Sequence, residues 1–272
     1  HTRHRVADSY KEAVRIAILA GVDMSMTPLD TEFTDYLVEL VEEGAIPIIV
    51  GRSIDAAKDL GERVRKLGGE CLIVIKELGK DNCKDVIDKT IERYGKIDGL
   101  VNNAGANDGV GLVDGSPRSF MQSIQKNLSH YYDLAHYAVE YLKSTKGSIV
   151  NVSSKTALTG QGYTSAYAAS KGAQLALTRE WAVELAPFGI RVNAVVPSEV
   201  MTPLYKTWLQ TFGNPEEEVE KITSKIPLGR RMTTAAEIAA TTLFLLSDRS
   251  SHTTGQWLFP DCGYVHLDRA IN

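Results

Sequence analysis

Tyr167 and Lys171 stand four residues apart, and Ser154 precedes Tyr167 by thirteen. Two residues four apart on a helix share one face. That spacing suits a phenol used as a base. A free tyrosine titrates near pH ~10, so a phenolate at neutral pH needs its pKa lowered by roughly 3, about 4 kcal/mol. A lysine ammonium ~4 Å away in a partly buried site supplies help of that size. Ser154 follows the apolar run Gly147 to Val152, so its hydroxyl would sit at a strand end and could hold a substrate oxygen beside the phenol. The chain has 11 tyrosines, so such a pair also arises by chance, and a solvated surface pair is the competing reading.

The elements that must position these groups alternate. Near-continuous apolar runs at 46–50, 71–75, 98–101, 147–152, 191–197 and 255–259 read as buried parallel strands. Helical patterns at 54–67, 82–94, 119–142, 165–186 and 235–246 lie between them. The order is that of an α/β fold, a Rossmann-like doubly wound parallel sheet. With 272 residues and 43% hydrophobic content, a single domain with a large core is expected. Asn102-Asn103-Ala104-Gly105 follows one strand, where small residues let a ligand approach the backbone. Asn127 falls inside the 119–142 pattern, and asparagine is a poor helix-interior residue, so a polar role is expected there.

The formal net charge of −4 argues against nucleic acid or an anionic membrane surface as partner. No apolar run reaches the ~20 residues of a membrane span. Cys71, Cys83 and Cys262 show no metal-ligand spacing, so no metal site is expected, and a reduced, cytoplasmic setting suits them.

With Arg191 to Pro197, these motifs resemble the short-chain dehydrogenase/reductase family from about Ala45 to the C-terminus. The resemblance implies a catalytic tetrad of Asn127, Ser154, Tyr167 and Lys171. It implies a nicotinamide dinucleotide held by Asn103, Ala104, Gly105, Tyr167, Lys171, Pro197, Val200 and Thr202. Arg52 and Ser53 follow the 46–50 strand, where an acidic residue would hold the ribose of NAD. Arg52 suits the 2′-phosphate of NADP instead, with NAD the alternative and a solvated arginine the competing reading. Leu78 stands near the expected adenine, where the family often has Asp. Further stretches, among them Ala106 to Gly109, Gly160-Gln161-Gly162 and Val200 to Tyr205, resemble sugar-oxidising members of the family. They imply oxidation of an L-fucose-like aldose at its anomeric carbon to a lactone. Asn107, Ser154, Gln161, Tyr167, Glu199 and Trp208 are the expected substrate contacts. Residues 204–227 read as a lid, or as a solvated helix around the acidic run 216–218. The alanine-rich 165–186 helix, packed with the 119–142 helix, would form the interface of a homodimer or homotetramer; packing within one subunit is the rival. His130 and His136 read as packing or interface residues.

Residues 1–44 depart from the family. Its turn Thr-Gly-x-x-x-Gly-x-Gly is missing before residue 50, and counting back from Gly44 puts residues 26–33 in that place. Ser9 and Glu12 form a capping box for a helix over Tyr10 to Ala20, stopped by Gly21. Val22 to Met26 reads as a short strand, and Glu32 to Glu43 as a second helix capped by Asp30 or Thr31. Residues 12–44 resemble a piece of a family three glycoside hydrolase that lacks the catalytic carboxylate motif. The segment is expected to replace the first strand, turn and helix of the domain over 45–272. Asp30 and Glu32 would then stand near the pyrophosphate and weaken it by several kcal/mol at an effective dielectric of ~20, unless Asp30 only caps its helix. A folded but catalytically silent scaffold is therefore the alternative function.

Overall fold

The computed structural model describes residues 17–21, 45–79 and 82–267. Seven parallel strands form one sheet in the order β3-β2-β1-β4-β5-β6-β7. They are β1 Ala17–Gly21, β2 Ile46–Gly51, β3 Leu72–Ile75, β4 Gly99–Asn102, β5 Ser148–Val152, β6 Arg191–Val195 and β7 Trp257–Leu258. The helices are α1 Ile54–Lys66, α2 Cys83–Tyr94, α3 Pro117–Ile124, α4 His130–Thr145, α5 Ser165–Leu185, α6 Pro203–Leu209, α7 Pro215–Thr223 and α8 Ala235–Leu246.

The strands carry apolar residues on both faces because helices cover both faces. Ile48, Leu100, Ile149 and Val192 pack with Val86 and Ile87 of α2, Leu134 and Leu142 of α4, and Leu185 of α5. On the other side Ile49 meets Ala57 and Val64 of α1, and Val150 and Val195 meet Leu245 of α8. Each such side chain taken fully out of water contributes about 1.5–3 kcal/mol.

Two expectations change. The 10–20 helix does not extend over Ala17 to Ala20, and Gly21 is the last residue of a strand, not a helix stop. A four-residue apolar run cannot be told from a helix by its period. Between β2 and β4 the sheet accepts only an extended chain, and β1 supplies it, pairing Ala17 with Ile46 and Leu19 with Leu100. The expected strand at 22–26, the helix at 32–43, the cap at residues 9–12 and the turn position at 26–33 lie outside the described residues. The single 119–142 helix is also divided. A π turn over Gln125–Ser129 separates α3 from α4.

Strand order reverses direction between β1 and β4. In such sheets a ligand crevice opens at the carboxyl ends of the strands at this point. Gly21 stands level there with Val50 and Asn102.

Candidate active site

β5 ends at Val152, and its carbonyl is the anchor of the site. It accepts hydrogen bonds from Lys171 Nζ at 2.8 Å and from the Tyr131 hydroxyl at 3.0 Å. Lys171 Nζ also lies 3.5 Å from the Tyr131 hydroxyl. The next residue, Ser153, donates its hydroxyl to the Lys171 carbonyl at 2.8 Å, which ties the strand end to α5. Ser154 hydrogen-bonds the phenol of Tyr167. Lys171 Nζ stands 5.5 Å from the centroid of the Tyr167 ring. The spacing read from the sequence thus places Ser154, Tyr167 and Lys171 in one site, with Tyr167 partly accessible and Lys171 buried.

The electrostatics differ from expectation. Burial pushes the Tyr167 phenol up to about 12, and the hydrogen bond from Ser154 pulls the other way. Burial also pushes Lys171 down to about 7. The desolvation that brings the lysine beside the phenol disfavours its charge. Lys171 therefore does not lower the phenol's pKa in this arrangement.

Asn127 lies wholly buried in the π turn. π turns interrupt helices chiefly where a site needs a group re-aimed. Here the Asn127 side-chain oxygen accepts from the Ala106 backbone N–H at 2.7 Å, and its amide donates to the Ser123 carbonyl at 3.0 Å. Its own carbonyl accepts from Gln174 Nε2 at 2.8 Å. A buried chain continues from there: the Gln174 carbonyl takes the Thr178 hydroxyl, Thr178 takes the Asn151 amide, and Asn151 takes the Asn102 amide. The strand ends, the π turn and α5 are thereby one unit.

On the cofactor side, Asn103 is partly exposed while Ala104 and Gly105 are buried. The Ala104 carbonyl accepts from the buried His130 at 3.0 Å, and burial lowers that imidazole to about 4, so it stays neutral. His130 is thus the packing residue expected; His136 is exposed and stacks on Tyr132. Arg52 follows β2, its guanidinium 3.9 Å from the Glu77 carboxylate. Ser53 opens α1 and its side chain makes no capping bond. Leu78 packs against the core. Pro197 is buried, and its carbonyl accepts from the Lys155 N–H. Val200 bridges to Thr233, and Thr202 caps α6 by accepting from Tyr205 N–H at 3.2 Å.

On the substrate side, the Asn107 oxygen accepts from Gly109 N–H, and Asn107 and Gln161 are exposed on separate loops. No described contact joins either to the tetrad. Trp208 is 44% exposed and sits edge-on between Tyr205 and Phe212. Both carboxylate oxygens of Glu199 are taken, one by Lys155 and one by the Tyr205 hydroxyl. Sequence reading missed Tyr131, Gln174 and Lys155. The one available signal for Gln174 was a polar residue three positions after Lys171, on the same helix face.

The family profile described as enoyl-(acyl carrier protein) reductase matches residues 38–265. The chain belongs to the short-chain dehydrogenase/reductase family. Among its relatives is the 3-oxoacyl-(acyl-carrier-protein) reductase FabG of Thermotoga maritima, 38% identical over 82% of this chain and 89% of that one. The L-fucose dehydrogenase of Bos taurus is 32% identical over 76% of each chain. The crystal structure of the Cj0485 dehydrogenase superposes with a TM-score of 0.87 at 43% identity, covering 97% of this chain and 98% of that one. The glycoside hydrolase resemblance of residues 12–44 is not carried by any of these comparisons.

As a short-chain dehydrogenase/reductase, the chain is an NAD(P)-dependent oxidoreductase. Its described residues fit such a dinucleotide. Gly21 and Gly51, which carry no side chain, are the last residues of β1 and β2 beside the crevice. The buried Asn102 side-chain oxygen at the end of β4 has no hydrogen-bond partner among the described residues. Gly105 keeps the space beside Asn127 and Lys171 clear, because a β-carbon there would stand 2.8 Å from Asn127 Oδ1. The segment after β1, where the family carries its glycine-rich turn, lies outside the described residues.

Proposed function

We propose that the chain oxidises the anomeric carbon of an L-fucose-like aldose to the lactone, with NADP the preferred cofactor and NAD the second. The observation that carries this reading is the Tyr167 phenol bound by Ser154 with Lys171 over its ring. The L-fucose dehydrogenase relative and the loops at 106–109, 160–162 and 200–205 support the substrate class. Arg52 and the uncapped Ser53 at the start of α1 support a 2′-phosphate.

Ser154 holds the anomeric oxygen. Tyr167 takes the hydroxyl proton as general base. The proton that the Tyr167 phenol already carries passes to Lys171, which is neutral above about pH 7 and also binds the nicotinamide ribose, while Asn127 orders a water beside it. The nicotinamide ring, when bound, supplies the acceptor for the hydride leaving the carbon. Asn103, Ala104, Gly105, Pro197, Val200 and Thr202 hold the cofactor, and Leu78 borders the adenine. Asn107, Gln161 and Trp208 face the sugar, and Glu199 acts through its partners.

We also infer a homodimer or homotetramer built on α4 and α5. Exposed apolar side chains on both helices support it: Tyr132 is 55% and Tyr137 38% exposed on α4, and Val183 is 77% exposed on α5. Three free cysteines support a reducing, cytoplasmic setting. Residues 1–44 stand in for the first strand, turn and helix of the domain over 45–272, with β1 as supporting evidence.

A second reading, a silent scaffold, rests on the missing glycine-rich turn before residue 50. One experiment separates them: titrate NADPH by fluorescence, then assay L-fucose and other aldoses with NADP and NAD. Micromolar binding with turnover that vanishes in Tyr167→Phe supports the enzyme. Absence of binding at millimolar NADPH supports the scaffold.

A further inference from the structure

Lys155 and Glu199 form an ion pair whose side chains are only 9% and 14% exposed. Lys155 is the residue after Ser154, and Glu199 lies in the loop after β6. The two segments are also joined through backbone, Lys155 N–H donating to the Pro197 carbonyl at 2.8 Å. The second Glu199 oxygen accepts the Tyr205 hydroxyl of α6 at 2.8 Å. The Glu199 carbonyl accepts from Thr233 N–H at 2.9 Å. Lys155 Nζ lies 4.2 Å from the centroid of the Tyr264 ring. One carboxylate therefore meets the neighbour of Ser154 and the first aromatic of α6, while its backbone joins the segment before α8.

Two charges this shielded from water persist only where geometry and further hydrogen bonds compensate them. Both oxygens of Glu199 are compensated within the chain, so it is poorly placed to meet a substrate hydroxyl directly. We propose that Glu199 is a positioning residue for the substrate side. It latches α6 to the strand end that carries Ser154, and so sets the distance between Ser154 and the aromatic row Tyr205, Trp208 and Phe212. The inference rests on the dehydrogenase reading for what the row faces, but not for the latch itself.

The test has two arms. The first is limited trypsin cleavage after Lys206, an exposed residue of α6, followed by mass spectrometry. Cleavage of a segment in fast exchange reports how often it opens. Glu199→Gln and Lys155→Met should be cut there about tenfold faster than the native chain, and Glu199→Asp should restore much of the protection. Should a single variant fail to fold, the pair Lys155→Met with Glu199→Leu leaves no uncompensated charge, folds, and is still cut fast. The second arm is kinetic. Glu199→Gln should raise the aldose KM about tenfold with kcat within about threefold, because the lost contact positions substrate in ground and transition states alike. Cleavage at the native rate in both Glu199→Gln and the double variant overturns the latch. If the native chain oxidises no aldose, the proposed function falls, and the cleavage arm still decides the latch.

Discussion

Gly105 stands beside Asn127 where a side chain would collide with it. A β-carbon on Gly105 would stand 2.8 Å from Asn127 Oδ1 and 3.9 Å from Lys171 Nζ. Asn127 cannot swing away freely. Its oxygen is fixed by Ala106 N–H and its amide by Ser123, and Ser123 in turn donates to Asp108 at 2.7 Å. Gly105→Ala should therefore displace a buried, bonded side chain. We expect a loss of about 1–3 kcal/mol in urea unfolding. Turnover should drop further than stability explains, by about tenfold or more, since Lys171 shares the gap. Turnover unchanged in a folded Gly105→Ala protein would show that Asn127 and Lys171 need no fixed geometry.

The Tyr167 and Lys171 values set the pH dependence of turnover. Tyr167 keeps its proton until about 12 and Lys171 holds its own only up to about 7. Oxidation needs the pair to accept a proton from the sugar. The rate should therefore climb with pH within the window between those values, and fall as acid fills the pair. Lys171→Met should cut the rate at about pH 8 by 10²-fold or more and move the limb upward, since the phenol then has no neighbouring amine to take its own proton. Tyr167→Phe should remove the limb altogether. A flat rate from about pH 6 to about pH 10 in the native enzyme would exclude a titrating base.

Cofactor choice is expected to turn on Arg52. Its guanidinium lies 3.9 Å from Glu77, and both side chains are about half exposed at 42% and 53%. Such a pair is worth little, about 0–1 kcal/mol, so it yields to a phosphate. A bidentate arginine–phosphate contact is stronger and more directional. Arg52→Ala should weaken NADPH about tenfold or more and leave NADH nearly unchanged. Equal losses for both cofactors, measured by fluorescence titration, would remove the 2′-phosphate assignment.

Much of this arrangement could be read from residue order. Apolar runs bounded by Gly, Asn or Pro marked six of the seven strands, because buried parallel strands need apolar residues on both faces. β1 escaped because Ala17 to Ala20 is short and follows a credible capping box at Ser9 and Glu12. Ser154, Tyr167 and Lys171 were legible because short spacings carried them. Asn127 was legible as an oddity in a helix, but the π turn was not. Around that turn Asn127 is bonded to Ala106 and Gln174, 21 and 47 residues away in the chain, contacts that only tertiary packing brings about. The Lys155–Glu199 pair spans two strand ends, and no local pattern announces it.

His130 supplies a stability test independent of catalysis. It is buried, bonded to the Ala104 carbonyl, and its pKa falls from the usual 6.5 to about 4 through desolvation. The unfolded chain binds this proton below about pH 6.5, and the folded chain does so only below about 4. Protons therefore favour the unfolded state between those values. The stability linked to His130 is fully present above about pH 6.5 and is lost as pH falls toward about 4, up to about 3 kcal/mol. His130→Gln should keep a donor to Ala104 without a titrating ring, so its acid midpoint in that window should fall relative to its own stability at neutral pH. His130→Phe should leave the Ala104 carbonyl without this bond, about 1–3 kcal/mol, at every pH. Urea unfolding from about pH 4 to about pH 7 separates both variants from the native chain by slope, and the two variants from each other by an offset that does not change with pH. Parallel pH profiles for the native chain and His130→Gln would place the acid sensitivity in other residues.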